Sequence, residues 1–261
     1  TYECRKEGIL VPTNNDKKTA EKFVGATVLS PKSGYYKEGV SGLDFASLYP
    51  SIMIANNLCY STYIPEKDYN HYKDKKDLVI QTIAWKEEFE AAQSVYESMK
   101  MVELRAELEE KGLETTGNTK AILIDRLMND PNRKLESYKF YFVENREGIL
   151  PKILNKLWRS RKEAKKEMKK AKQDNDHNLA DVYNGKQLAI KVTMNSVYGF
   201  TGATNGYMPM KIIASCVTAR GRQLIEQTKN YCETHYECEV IYGDTDSCYV
   251  KFKLDQNDPD Y

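Results

Sequence analysis

Apolar and polar positions alternate over residues 239–242 and 248–252, a period of two that predicts two β-strands. Between them "GDTD", residues 243–246, supplies turn residues, so the unit reads as a β-hairpin. Residues 1–60 read as strands and turns. "KFVGATVLSPKSGYY" gives a strand and a Pro/Gly turn, and "EGVSGLDF" a second strand ending at Asp44. "SLYPSIMIANN" then starts a short helix, with Pro50 in a first turn, where its missing N–H costs little. A longer period governs the middle. Residues 149–173 predict a long helix with Pro151 near its start, and residues 179–199 a second helix ended by Gly199. A Gly-rich loop follows over 200–208. A third helix spans 209–235, with its apolar face at Ile212, Ile213, Cys216, Val217, Leu224 and Ile225. Residues 98–130 predict two short amphipathic helices, Val102, Leu104 and Leu108 on the first, Ile122, Leu123 and Leu127 on the second. "KGLETTGNTK" joins them, with Thr119 as the cap. Residues 61–97 show no clear period. Strands at both ends enclosing helices define an α+β class with a helical excursion.

The length, 261 residues, fits one large domain or two small ones. No apolar run approaches the length that spans a bilayer, so no membrane segment is expected. The opening "TYECRKEGIL" is charged, unlike a secretory signal, and the six cysteines include no CxxC pair. Cys232 and Cys238, with five residues between them, are weak as metal spacing. Reduced thiols in an intracellular, non-secreted protein are expected. The chain lacks an initiator Met and ends in "DQNDPDY" directly after a strand, so both ends read as cut and a piece of a longer protein is expected. Net charge is only +1, yet residues 152–172 carry ten Lys or Arg and two Glu, a stripe dense enough to attract phosphates.

Four stretches carry chemistry. In "LDFASLYPSIM", Asp44 ends a strand just before a helix N-terminus. That is a place for a hard metal ion beside free backbone N–H groups, or simply a helix cap. In "RSRKEAKKEMKK", Arg161 and Lys165 lie one helical turn apart and can hold a polyphosphate, or belong to a solvated Lys/Glu face. In "KVTMNSVYG", Lys191, Asn195 and Tyr198 fall on one helix face, which faces either a ligand or water. In "YGDTDS", Asp244 and Asp246 crowd one turn, as a solvated tip or as a metal site, since gathered carboxylates ionise cheaply only around a cation.

"DFASLYPSIM", "KVTMNSVYG" and "YGDTDS", in this order, resemble family B DNA polymerases: palm motif A, fingers motif B and palm motif C. "REGILPKILNKLWRSRKEAKK", residues 146–166, resembles that family's lead-in to the fingers. The resemblance covers residues 1–62 and about 138–252, and its style is that of large DNA viruses. It implies an antiparallel palm sheet with packed helices and a helical-hairpin fingers excursion. Residues 1–62 would be the N-terminal palm and 63–137 an insertion. Residues 138–200 would be the fingers, and 201–261 the C-terminal palm, cut before the thumb. It implies that Asp44 and Asp246 hold two Mg²⁺ ions, Mn²⁺ being able to substitute, with the Phe45 carbonyl as a further ligand and Asp244 as a secondary carboxylate. Arg161 and Lys165 would grip the β and γ phosphates. Lys191 would contact the triphosphate and protonate pyrophosphate, and Asn195 would support the grip. Backbone N–H groups around Ser47 and Leu48 would cradle the tail. Tyr49 would exclude a 2′-hydroxyl, and Tyr198 with Gly199 would lie on the minor-groove side of the nascent pair. The implied partners are primer–template DNA and dNTPs, in the host nucleus or cytoplasm if viral. An upstream exonuclease and a downstream thumb are implied too, and the isolated piece is expected to extend primers poorly.

Residues 98–130 fall outside that pattern. Through "VELRAELEEKGL" and "TGNTKAILIDRL" they resemble a SAP motif, a helix–extended–helix module for duplex DNA, with Lys120 and Arg126 as phosphate contacts. The alternatives are a helical hairpin with no DNA role, favoured by the acidic first helix, or an insertion serving processivity. A processivity factor is not visible in the sequence. The competing function is a non-catalytic DNA-binding protein on a degenerate polymerase fold.

Overall fold

Two sheets and eight helices are formed by the residues described in the computed structural model, namely 2–8, 25–37, 39–86, 93, 96–130, 137–203 and 209–253. The start of the "KFVGATVLS" strand, residues 204–208 of the Gly-rich loop, and "DQNDPDY" fall outside them. The first sheet is antiparallel, with β1 (Val28–Leu29), β2 (Val40–Asp44), β6 (Cys238–Asp244) and β7 (Ser247–Phe252) in the order β1-β6-β7-β2. The hairpin is tighter than expected. Asp244 pairs with Ser247, so Gly243 and Asp244 belong to β6, and only Thr245 and Asp246 form the loop. Thr245 takes the left-handed φ of 54° that lets two residues reverse the chain. Gly243 is required by crowding: a Cβ there would fall 2.9 Å from Leu29 Cδ1 and 3.1 Å from the Ser247 carbonyl oxygen.

The second sheet comes from the stretch without a period. β3 (Tyr63–Ile64), β4 (Ile80–Lys86) and β5 (Ser137–Val143) pair antiparallel in the order β3-β5-β4. The expected insertion boundary at 137 thus falls at the first residue of β5, and Ile83 and Phe142 of this sheet enter the main core.

The helices are α1 (Tyr2–Lys6), α2 (Leu48–Ala55), α3 (Glu66–Tyr72), α4 (Met101–Glu110), α5 (Lys120–Met128), α6 (Ile149–Gln173), α7 (His177–Gly202) and α8 (Lys211–His235). α1 departs from the expected strands and turns. Too short to persist alone, it docks on α6, where Glu3 meets Lys156 at 2.8 Å and Glu7, just beyond the helix, meets Lys152. α7 runs through Gly199, which sequence reasoning made its end. Thr201 is buried and its Oγ1 donates to the Tyr198 carbonyl at 2.7 Å, which helps carry the last turn to Gly202. α6 and α7 form a long hairpin that buries the small residues Ala164, Ala171 and Ala180, and Asp176 caps α7 by accepting from Leu179 N at 3.0 Å.

The main core joins Leu48, Ile52 and Met53 of α2 to Leu154 of α6, Met194 of α7, and Ile213, Cys216 and Val217 of α8. A smaller cluster seats Val240, Cys248 and Val250 on Ile225 and Cys232 of α8. All six cysteines are free thiols. The entry to α6 is clamped by Asn57, buried at φ 46°. Its Nδ2 donates to the carbonyls of Val143 and Arg146, at 2.7 and 2.6 Å, while its Oδ1 accepts from Gly148 N at 2.8 Å.

α4 and α5 stand apart, with a core of their own: Leu104, Leu108, Leu123, Ile124, Leu127 and Met128. Two members of the expected apolar faces are corrected. Val102 is 80% exposed and Ile122 42% exposed, because the i, i+4 pairs Leu104/Leu108, Leu123/Leu127 and Ile124/Met128 already provide the seam. Thr119 stands at the N-cap of α5 but makes no side-chain capping bond. The connection is extended, with Gly112 at φ 66° and Gly117 at φ 154°.

Candidate active site

Three carboxylates gather at one end of the first sheet. Ser247 opens β7 and is paired with Asp44 on β2 and Asp244 on β6, while Asp246 precedes it in the loop. Phe45 N donates to the Asp246 carbonyl at 2.8 Å, which ties the end of β2 to the hairpin tip. Asp44 is therefore not a helix cap; Ser47 holds that position. The Asp246 carboxyl is pushed above its ordinary pKa by burial first, then by Asp44, and further by Asp244; Lys191 works against the rise. A carboxyl raised by like charges marks a place where a cation is wanted.

α2 begins beside these carboxylates. Ser47 adopts φ 52° and its hydroxyl caps nothing. Instead it accepts from Arg161 Nη1 at 3.2 Å, while Arg161 Nε donates to Gln187 Oε1 at 3.4 Å. The first-turn N–H groups of Leu48 and Tyr49 have no intrahelical acceptor. Lys165, one turn along α6, is exposed. On α7, Lys191 and Asn195 are exposed, with Lys191 close enough to act on the Asp246 charge. Tyr198 lies against Tyr49, ring centroids 4.4 Å apart and tilted by 48°. Burial and Tyr49 push the Tyr198 phenol up to about 12, and burial with Asp246 and Asp244 raises Tyr49. Both rings therefore stay neutral at physiological pH. A Cβ at Gly199 would meet nothing within 4 Å, so that position borders open space.

Among the described residues no three His, Cys, Asp or Glu side chains form a ready-made metal cage. Magnesium seldom uses one: it keeps waters and takes one or two carboxylates with substrate phosphates. Asp44 and Asp246, close enough to repel yet too spread to close a protein-only cage, fit that donor set.

The expected contacts of the 98–130 unit are not brought to this site. Lys120 Nζ donates to the Glu97 carbonyl. Arg126 donates to the carbonyls of Glu114, at 3.0 Å, and Thr116, and pairs with the Glu114 carboxylate at 3.1 Å. Its guanidinium holds the extended linker.

Three site residues escaped sequence reasoning. Gln187 touches Arg161; its place one turn before Lys191 on the same face was the available signal. Arg222 is buried and exerts a positive charge on Tyr49 and Tyr198. Gly221 of α8 lies under the Tyr49 ring, where a Cβ would stand 3.4 Å from it, an ordinary contact distance.

A sheet end bearing carboxylates, beside a helix N-terminus and cations from a helical hairpin, has the chemistry that suits a phosphorylated ligand with hard cations. The chain matches the family model "DNA polymerase family B" over residues 2–259, and it belongs to that family. It is 37% identical over 259 residues to the DNA polymerase delta catalytic subunit of Candida albicans, covering 96% of this chain and 20% of that protein. The Drosophila melanogaster subunit is 35% identical over 260 residues, covering 96% and 19%. Among solved structures, the family B DNA polymerase of the archaeon Pyrobaculum calidifontis superposes with a TM-score of 0.58 at 26% identity, over 95% of this chain and 24% of that one. The chain thus spans about a fifth of the length of these curated relatives.

Proposed function

We propose that this chain is the palm and fingers of a template-directed DNA polymerase that adds dNMP to a primer 3′ end during DNA replication. The observation that carries the reading is the convergence of Asp44, Asp244 and Asp246 at one sheet end, with Lys191 and the N-terminus of α2, to which Arg161 of α6 is bonded, beside them. On this reading the first sheet with α2 and α8 is the palm, and the α6–α7 hairpin is the fingers. Asp44 and Asp246, with the Phe45 carbonyl, would hold two Mg²⁺ ions, which supply activation of the 3′-hydroxyl and stabilisation of the leaving pyrophosphate. Phosphoryl transfer otherwise asks the protein for positioning and charge. Arg161 and Lys165 bind the β and γ phosphates, and the Leu48 and Tyr49 N–H groups receive the tail. Lys191 holds a proton at Nζ for the leaving pyrophosphate, and Asn195 steadies the triphosphate. The Tyr49 ring, backed by Tyr198 and Gly221, closes the space that a 2′-hydroxyl needs. Tyr198 and Gly199 face the minor-groove edge of the new pair. The 98–130 unit is a SAP-like duplex-DNA module, a reading supported by its helix–extended–helix form and separate core.

The test is primer extension by the full-length gene product containing these residues, wild type beside Tyr49→Ala, with dNTP and then NTP. Mg²⁺-dependent dNTP addition, and roughly tenfold better relative NTP use by Tyr49→Ala, are expected. Duplex binding without any extension would leave a DNA-binding protein on a polymerase fold.

A further inference from the structure

We propose that Gln187 is a positioning residue that holds the Arg161 guanidinium ready for a nucleoside triphosphate; the inference rests on the polymerase reading above. Gln187 is polar yet only 7% exposed, at the seam between α7 and α6. A buried amide must be partnered. Its Nε2 donates to Asn184 Oδ1 at 3.0 Å, which fixes how the amide faces and leaves Oε1 as the acceptor. Arg161 Nε donates to that oxygen and Nη1 to Ser47 Oγ. The guanidinium therefore bridges α6, α7 and the N-terminus of α2.

The character of the two acceptors decides the role. A guanidinium carries five N–H donors, two of which are engaged here, so the others stay open to a ligand. Both acceptors are neutral. A carboxylate in either place would hold the side chain at least as firmly and would cancel its charge. An amide and a hydroxyl fix direction and leave the positive charge whole. An arginine ordered beforehand loses less freedom on binding, which strengthens the grip on phosphate. Gln187 also precedes Lys191 and Asn195 at i, i+4 and i+8, so one helix flank carries the positioning amide and then the ligand-facing groups.

The test uses the full-length gene product with Gln187→Met, which keeps the volume and loses the acceptor, with Gln187→Glu, and with each in an Arg161→Ala background. Single-nucleotide incorporation gives KM and kcat for dNTP, primer–template affinity and thermal unfolding are followed alongside, and binding of inorganic tripolyphosphate is measured by calorimetry. Gln187→Met is expected to raise KM roughly tenfold, with kcat and primer–template affinity within about twofold. Gln187→Glu should raise KM as well, by neutralising Arg161, and neither change should add to the effect of Arg161→Ala. An unchanged KM, or an equal rise in the Arg161→Ala background, overturns the proposal even if Gln187→Met lowers stability. If the wild type incorporates nothing, the polymerase reading falls. The positioning role then stands if tripolyphosphate binding weakens in Gln187→Met, and falls if it does not.

Discussion

The α4–α5 unit and the carboxylate end of the first sheet handle charge in opposite ways. In the unit, Arg126 and Lys120 are turned onto the chain's own carbonyls, and Arg105 donates to the Gly117 carbonyl at 3.0 Å. The two arginines hold the linker, and Lys120 the segment before α4, around six buried apolar residues. At the sheet end, Asp44, Asp244, Lys191 and Asn195 remain exposed, and the Asp246 carboxyl is held above its ordinary pKa by burial and then by Asp44. A polar group satisfied internally builds structure; one held in place but left open is available to a ligand. Basic residues at regular spacing do not distinguish the two cases. Their partners do.

Four measurements test whether the two regions differ in this way. Asp246→Asn should reduce primer extension by the full-length gene product by at least about 10²–10³-fold, with its fold intact by circular dichroism. Retained extension would strip the sheet end of its role. Leu123→Ala should destabilise the α4–α5 unit by about 2–5 kcal/mol, seen as faster amide exchange there, with dNTP KM unchanged. A parallel loss of dNTP binding would mean that the two regions are not separate. Arg126→Met should cost the unit about 1–3 kcal/mol by leaving linker carbonyls unsatisfied, with little loss of duplex affinity beyond that caused by Leu123→Ala. Selective loss of duplex affinity would make Arg126 a phosphate contact as well as a linker clamp. The smallest effect concerns protons. Folded, metal-free Asp246 holds its proton more tightly than the unfolded chain does, through burial, Asp44 and Asp244. It therefore lowers stability above its folded pKa, and the penalty is relieved as pH falls through that value toward the unfolded one. Asp44→Asn should move the Asp246 titration downward in carboxyl NMR; an unmoved titration would deny that the two carboxylates interact.

Much of this was legible in the sequence, for physical reasons. The hairpin, β2 and the long helices announce themselves because alternation and 3.6-residue periodicity are local. The second sheet was not legible. β4 buries only Ile83 and finds its partner about 55 residues on, in β5, a pairing that no window of sequence contains. Gly199 looked like a stop because glycine usually ends helices, yet Thr201 is buried and the ladder continues. Val102 has the period of a core residue, but two leucines already fill the seam. Gln187 is only partly legible, for a different reason. Its spacing from Lys191 marks the face it shares, but an amide on an amphipathic helix reads as solvent-facing, and only the approach of α6 reveals that it touches Arg161.

Gly148 has a mechanical consequence. A Cβ there would lie 2.5 Å from Cys59 Cβ, and the Asn57 bonds hold its neighbours, so the root of α6 is fixed to the body of the protein. Twenty-five residues of helix beyond that root make an arm about 37 Å long. Pivoting the arm by about 10° at its base swings its tip roughly 6 Å, while Arg161, halfway along, travels only about 3 Å. A fulcrum at Gly148 converts a slight rocking of the base into a long sweep at the tip and a short, controlled stroke at the arginine.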